Sequence, residues 1–595
     1  MTDSSPRPVL GIWGYSSDKP DVAHHDSGAA IVCEGRILAA VNEERITRMK
    51  NEGRWPSAAI ETVLRLANVR PEDIRTVAMA GLPPLPRARL MASELVKLAR
   101  STGIILPNRW LYSALTAKKL KRYGPPDMTA AVHFVAHHDA HAASAYYTSP
   151  FESCAVVTLD GIGDSAHCGA VYAASAGKLR RIRSFTGYAS PGILYSYVTK
   201  AFGFKPARHE GKITGLAAHG NSDVLIQEFR KRLRYEDREL RSTFIPHLFA
   251  EKVDAEWKTS WIDELCRKHS REDICAALQR HTEEICAAIV RDALDDTGMS
   301  CVALAGGVFA NVRVNQKIHE LIPRDDSNPR CRLWIHPHMG DGGLSAGSAL
   351  FHEGVRSAMP HAYLGDDAGM ITDAMVSANS LDVWRPDNPQ DAGNVASAGE
   401  GAGATGMPRA VAAALAEGLI VGRAAGPMEY GPRALGNRTI FVSADDASVN
   451  DSLNVRLKRT EFMPFAPIMT ESAAARYLIG WNRNDRAAEF MTVTYDVTDD
   501  CRRDAPAIVH VDGTARPQVV GDDKPFLRDL LVEYGKLTGK EIVINTSFNI
   551  HEEPIVRTAD DALKSYLQGA VDVLAFQDVL VATPEIMYRI RRRAS

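Results

Sequence analysis

Twice in the first third of the chain an apolar run is followed by a glycine-containing turn and a returning run, and this recurrence constrains the fold more than any other feature. The first copy reads VLGIWGY, a hinge around HHDSG, then SGAAIVC and RILAAVNEE separated by Glu34-Gly35. The second reads CAVVTLDGIGDSAHCGAVYAAS followed by KLRRIRSF. Apolar, β-rich runs joined by a short glycine turn form hairpins. Helical stretches follow each, so the N-terminal part is expected to hold two copies of one hairpin-plus-α/β unit.

Ile274, Leu278, Ile285 and Ile289 fall at helical spacing, and CVALAGG after them is short, β-rich and closed by two glycines. A similar turn, Gly340-Asp341-Gly342-Gly343, ends the strand LWIH and opens a small-residue helix. The low-complexity stretch 391–406 reads as a loop. A domain boundary is expected somewhat before it, giving 1–362 and 363–595. The later part alternates helical segments such as PRAVAAALAEG with the apolar runs LIVGRA, TIFVSA, KEIVINTSF and VDVLAF, a second α/β domain.

At 595 residues, 45% of them apolar, the chain is long enough for two or more cores. A formal charge of −3 gives no overall basic field for nucleic acid or an anionic membrane. Nine scattered cysteines without a C-x-x-C pair suit reduced thiols. No run approaches the roughly 20 apolar residues of a membrane span, and the first residues hold no hydrophobic targeting stretch. A cytoplasmic location is expected.

Several residues could carry chemistry. His137 and His141 stand at i and i+4, which on a helix puts both imidazoles on one face, as two metal ligands require; a plain pair of polar neighbours is the alternative. Asp160 and Asp341 sit at strand ends beside glycines, where a ligand or a simple Asx turn would explain them. Gly306-Gly307 could permit tight packing after its strand or, with Asn311 and Asn315 one helical turn apart, could equally take the ribose or phosphates of a nucleotide, although no P-loop or G-x-G-x-x-G fingerprint is present. His25, in the first turn, could serve as a general base or have no such role. Arg423, Arg433, Arg438, Arg456, Lys458, Arg459 and Arg516 flank glycines, prolines and strand ends; for each one alone, a solvated face is the plain reading.

Taken in order, AHHDSGAAIV, VNEERITRMK, AHHDAHAASAY, EGKITGLAAHG, LAGGVFANVRVN, MGDGGLSAGSA, GPMEYGPRALGNRTI, LNVRLKRTEFMPFAPIM, HVDGTARPQ and INTSFNIHEEPIV span nearly the whole chain. This series resembles the NodU/CmcH family of O-carbamoyltransferases. Two departures stand out: Glu552-Glu553-Pro554 where the family has Gly-Glu-Pro, and Ala218-His219-Gly220 where it has Pro-Tyr-Gly.

The resemblance implies a duplicated actin-like, TsaD-like N-terminal domain and a YrdC-like α/β C-terminal domain. It further implies that carbamoyl phosphate and ATP, the latter with Mg2+, give carbamoyl-adenylate in the C-terminal domain, and that the carbamoyl group passes to a hydroxyl in the N-terminal one. By matching motifs, the metal ligands would be His137, His141, Asp160 and Asp341, holding iron(II), manganese or zinc. His25 would assist the acceptor hydroxyl. Arg433, Lys458, Arg516 and Ser547 would form the adenylating site, with Lys458 and Arg516 on the nucleotide. The expected acceptor is a small hydroxylated natural product, antibiotic-like in kind, and a homodimer is an open option. The rival readings are a TsaD-like enzyme acting on tRNA, which the net charge disfavours, and an actin-like ATPase or chaperone that transfers nothing.

Overall fold

In a computed structural model, both apolar hairpins lie at the edges of five-stranded sheets with the same strand order. The structure describes residues 7–14, 25–81, 120, 125, 128–164, 167–243, 261–322, 332–387, 406–458 and 465–594. The expected loop at 391–405, Arg459 and the segment after it lie outside these residues.

The first sheet runs Arg36–Asn42, Gly28–Cys33, Val9–Trp13, Thr76–Ala80, Ala131–Val135. The second runs Lys178–Thr186, His167–Ser175, Ser153–Leu159, Val302–Ala305, Leu333–Ile335. In each, the first three strands pair antiparallel and the last two join in parallel. This is the duplicated actin-like arrangement. The hairpin turns match too: Glu34-Gly35 and Ala176-Gly177 all have positive φ, as the two-residue turns that fit twisted strands require.

The duplication extends to the helices. His137–Thr148 follows the fifth strand of the first sheet, and Leu344–Glu353 follows that of the second. These twin helices pack on each other, and small residues allow it: a Cβ on Gly347 would lie 2.1 Å from the carbonyl oxygen of Ala140. Their N-terminal ends therefore come together between the two sheets.

The later part forms an eight-stranded mixed sheet in the order Asp382–Trp384, Leu580–Ala582, Val573–Ala575, Val421–Ala424, Arg438–Val442, Ile542–Ser547, Ala466–Thr470, Gln518–Val520. Helices Gly406–Ala416, Pro525–Thr538 and Pro584–Ala594 share a buried apolar cluster with it. Polar bonds tie this part to helix Val312–Leu321. Asn315 donates to the carbonyl of Thr492 at 2.7 Å, and Thr494 Oγ1 donates to Gln316 Oε1 at 2.7 Å.

Arg438 and Arg423 are two of the arginines that depart from the solvated reading. Arg438 is fully buried and donates to the carbonyls of Gly426, Asp366 and Arg557. Arg423 is buried under Phe526, its guanidinium carbon 4.0 Å from the ring centroid, and donates to Gly436 O and Asn437 Oδ1. Loop carbonyls, which need donors once buried, account for both. Arg456 pairs at the surface with Asp572.

Candidate functional site

The two helix ends bring together four side chains from three segments. His137 opens its helix and His141 lies one turn on; Asp160 follows strand Ser153–Leu159; Asp341 precedes the second helix. One ligand atom from each lies within 4.8 Å of all the others. His137 Nε2 and His141 Nε2 stand 3.2 and 3.1 Å from Asp160 Oδ2, and each 3.5 Å from Asp341 Oδ1. Donors around a small divalent ion stand about 3 Å apart. Two imidazoles and two carboxylates suit a borderline divalent metal, so the quartet fits the expected ion.

The neighbours fix these rings. A Cβ on Gly163 would lie 2.6 Å from His137 Cδ2, so only glycine lets that ring lie where it does. The Trp13 ring meets His137 edge-on at 5.8 Å between centroids. His138 is turned away: it bonds Thr158 Oγ1 and the carbonyl of His167, and burial pushes its pKa well down. Burial opposes protonation of His137, but Asp341 and Asp160 outweigh it and raise its pKa to about 9. Despite its burial, Asp160 is held well below the usual carboxylate range by hydrogen bonds from His137 and His141.

His25 faces this quartet. Its Nδ1 is 2.9 Å from Asp26 Oδ2, and Trp13 Nε1 donates to its carbonyl. Asp26 takes a left-handed φ of 59°, and its carbonyl accepts from Asn42 Nδ2 at 3.0 Å; Asn42 in turn bonds His338 Nε2 at 2.8 Å. Burial alone would lower the His25 pKa, yet Asp26, Asp341 and Asp160 raise it to about 10.

A cavity of about 290 Å³ lies between helices Glu210–Ala217 and Arg271–Thr297 on one side and the 465–516 segment on the other. Arg516 lines it, and Arg433 stands near enough to lower the Arg516 pKa, after burial, well below its ordinary value. Burial lowers that of Arg433 to about 10. Arg433 reaches across to the carbonyl of Ala310 at 3.2 Å, in the turn after Gly306-Gly307. Its own loop is wrapped on Glu429 Oε1, which accepts from the backbone N–H groups of Leu435, Asn437 and Arg438. Among the described residues neither Arg433 nor Arg516 has an acidic partner, and both Nε atoms are buried without a hydrogen bond. Two like charges held together this way are costly unless an anion joins them.

The other expected residues fall elsewhere. Ser547 ends strand Ile542–Ser547 and donates to Asn549 Oδ1 at 2.6 Å. Lys458 is exposed, with φ 54°; the N–H of His551 bonds the preceding carbonyl, Leu457 O, so Lys458 borders the loop that follows Ser547. Asn315 is no nucleotide contact: it is fully buried and donates to Phe309 O and Thr492 O. Asn311 caps its helix, accepting from Arg313 N and Val314 N, and exchanges bonds with Gln279. Gly306, at φ 109°, permits close approach to Leu159, and a Cβ on Gly307 would lie 2.8 Å from Asp160 Oδ1. These glycines thus pack the turn against the segment that carries Asp160. His510, missed from the sequence, lines the cavity with its Nδ1 3.1 Å from Asp512 Oδ1. HVDGTARPQ carried that pair in plain view, but only the fold puts it beside Arg516.

Residues 21–350 match the family described as carbamoyltransferase N-terminus, and residues 412–583 the one described as carbamoyltransferase C-terminus. The nodulation protein NolNO of Sinorhizobium fredii is 29% identical over 97% of this chain and 82% of its own. NolO of Bradyrhizobium diazoefficiens is 30% identical over 75% of this chain and 78% of its own. An uncharacterized protein of a Synechocystis species is 28% identical over 96% of both chains. With the first family matching more than half of its length, the chain belongs to the carbamoyltransferases of the NodU/CmcH family.

Proposed function

We propose that this carbamoyltransferase is ATP-dependent and works in two steps, activation by residues 363–595 and transfer by residues 1–362. Carbamoyl phosphate, ATP and water would give carbamoyl-adenylate, pyrophosphate and phosphate. An acceptor oxygen then attacks the carbamoyl carbon, AMP leaves, and the hydroxyl proton passes to Nε2 of a neutral His25 whose Nδ1–H donates to Asp26. His137, His141, Asp160 and Asp341 would hold iron(II), manganese or zinc, which when bound offsets both carboxylates and supplies positive charge for a phosphate oxygen. Arg433 and Arg516, with Lys458 and Ser547, serve the activation step.

The observation that carries this reading is the Arg433–Arg516 pair, whose charge, uncompensated among the described residues, lies beside a cavity and suits a polyphosphate. The acceptor is read as a small hydroxylated natural product, since a net charge of −3 suits no nucleic acid. No helix among the described residues is long and apolar enough to cross a membrane, and dependence on ATP fits a cytoplasmic reaction. The test is pyrophosphate release. It should require ATP and carbamoyl phosphate together; no pyrophosphate with both present would refute the activation step.

A further inference from the structure

A second concentration of positive charge lies between these two groups and belongs to neither. Glu552, on the loop after Ser547, takes a φ of 69°, a left-handed conformation that any Cβ disfavours. Its carboxylate is what the surroundings hold. Arg208 Nη2 donates to Oε2 at 2.7 Å, His209 Nε2 stands 3.2 Å from Oε1, and Lys205 Nζ lies 3.7 Å from Oε2. His209 Nδ1 accepts from the N–H of Lys205, so Nε2 carries the proton and the imidazole is neutral. His551 Nε2 lies 3.6 Å from Oε1.

Lys50 completes the cluster. Its pKa is lowered by burial and then by Arg208, and among the described residues it makes no ion pair. Arg208 Nε is buried without a hydrogen bond. Arg45 and Glu44 are also near Lys50, but stand 3.5 Å apart and offset each other. Among the described residues, Lys50, Lys205 and Arg208 thus surround one carboxylate, leaving about two positive charges over, the complement of a dianion rather than of a single glutamate.

Its place is between the expected transfer and activation residues. Asn51, next to Lys50, donates to Asp26 Oδ1 at 3.4 Å, beside His25. On the other side, the Glu552 loop borders Lys458 and is docked by Arg48, which donates to the carbonyls of Pro554 and Ile555 at 2.8 and 2.6 Å.

We propose that Lys50, Lys205 and Arg208 form a subsite for a phosphate group, and that Glu552 is its built-in occupant, displaced when phosphate binds. A carboxylate meets a guanidinium and an N–H as two phosphate oxygens would, and a disfavoured backbone at Glu552 makes it readier to leave. The subsite stands whether or not the activation step proposed above is right.

Calorimetric titration of the full chain with inorganic phosphate at fixed ionic strength tests it. Glu552→Gln should bind phosphate at least tenfold more tightly than the parent protein, and adding Arg208→Ala to it should abolish that gain. The double variant separates this subsite from phosphate bound at Arg433 and Arg516. Should the glutamine variant fold poorly, Glu552→Gly, which suits the positive φ, takes its place with the same expectation. Equal affinity in the parent and single variants, or a gain that survives Arg208→Ala, overturns the proposal. A lower apparent KM for carbamoyl phosphate in Glu552→Gln would assign the subsite to the donor; tighter phosphate with an unchanged KM would assign it to another phosphate-bearing ligand.

Discussion

As the proposed base, His25 carries the sharpest condition on the account, because a protonated imidazole takes no proton and burial is outweighed here by Asp26, Asp341 and Asp160, which raise its pKa to about 10. In the metal-free protein the stability this charge contributes is present below the unfolded pKa near 6.5 and is lost as pH rises through about 10. A divalent ion between Asp160 and Asp341 cancels two of the three carboxylates, so loading should lower the midpoint. One equivalent of zinc added to metal-free protein is expected to shift the His25 titration, followed by NMR, down by more than about one unit. An unmoved midpoint would mean that no cation lies between those carboxylates. At this scale the sequence made His137 and His141 legible, since i and i+4 share a helix face whatever the fold. The same spacing left His138 off that face, and in the fold Thr158 Oγ1 and the carbonyl of His167 occupy its ring. Asn315 misled: its spacing suited a ribose, but its partners, Phe309 O and Thr492 O, are contacts of packing. The Arg433–Arg516 pair spans two distant segments of one domain, which spacing cannot join.

The elements that hold the quartet are more legible. Both hairpins follow from β-rich runs ending in Glu34-Gly35 and Ala176-Gly177, a local signal that needs no tertiary information. That the two helices after the fifth strands are counterparts, and so place His137 and Asp341 together, needs the sheet order and was not legible. Gly163 tests how tightly this framework sets the site. A Cβ there would lie 2.6 Å from His137 Cδ2, so Gly163→Ala should turn the ring and weaken metal binding about tenfold or more. Gly211→Ala, where a Cβ meets nothing within 4 Å, should leave it unchanged. Equal metal affinity in both variants, measured by competition with a chelator, would mean that the ring is not held by this contact.

Across the whole molecule, buried neutral histidines set the acid limit. Burial lowers the pKa of His336 to about 3, and that of His338 to about 4 despite the nearby Asp26. Depressed values mean that the stability is full above about 6.5 and is lost as pH falls toward 4, by up to about 1.4 kcal/mol per pH unit for each group. The thermal midpoint of metal-free protein should therefore drop between pH 6.5 and 4.5; a flat profile would place protons on these rings already at neutrality. The two half-reactions belong to this scale as well, since each is assigned to a different part of the chain. On the proposed division Arg516→Ala should remove a cation facing phosphate charge, a loss of about 1.5–3 kcal/mol or more in a dry site, whereas His25→Asn should leave activation untouched. The most direct measurement is the rate of pyrophosphate release from ATP and carbamoyl phosphate in these two variants beside the parent. The account predicts a loss of tenfold or more in Arg516→Ala and a parental rate in His25→Asn; pyrophosphate release that survives Arg516→Ala, or fails in His25→Asn, would contradict it.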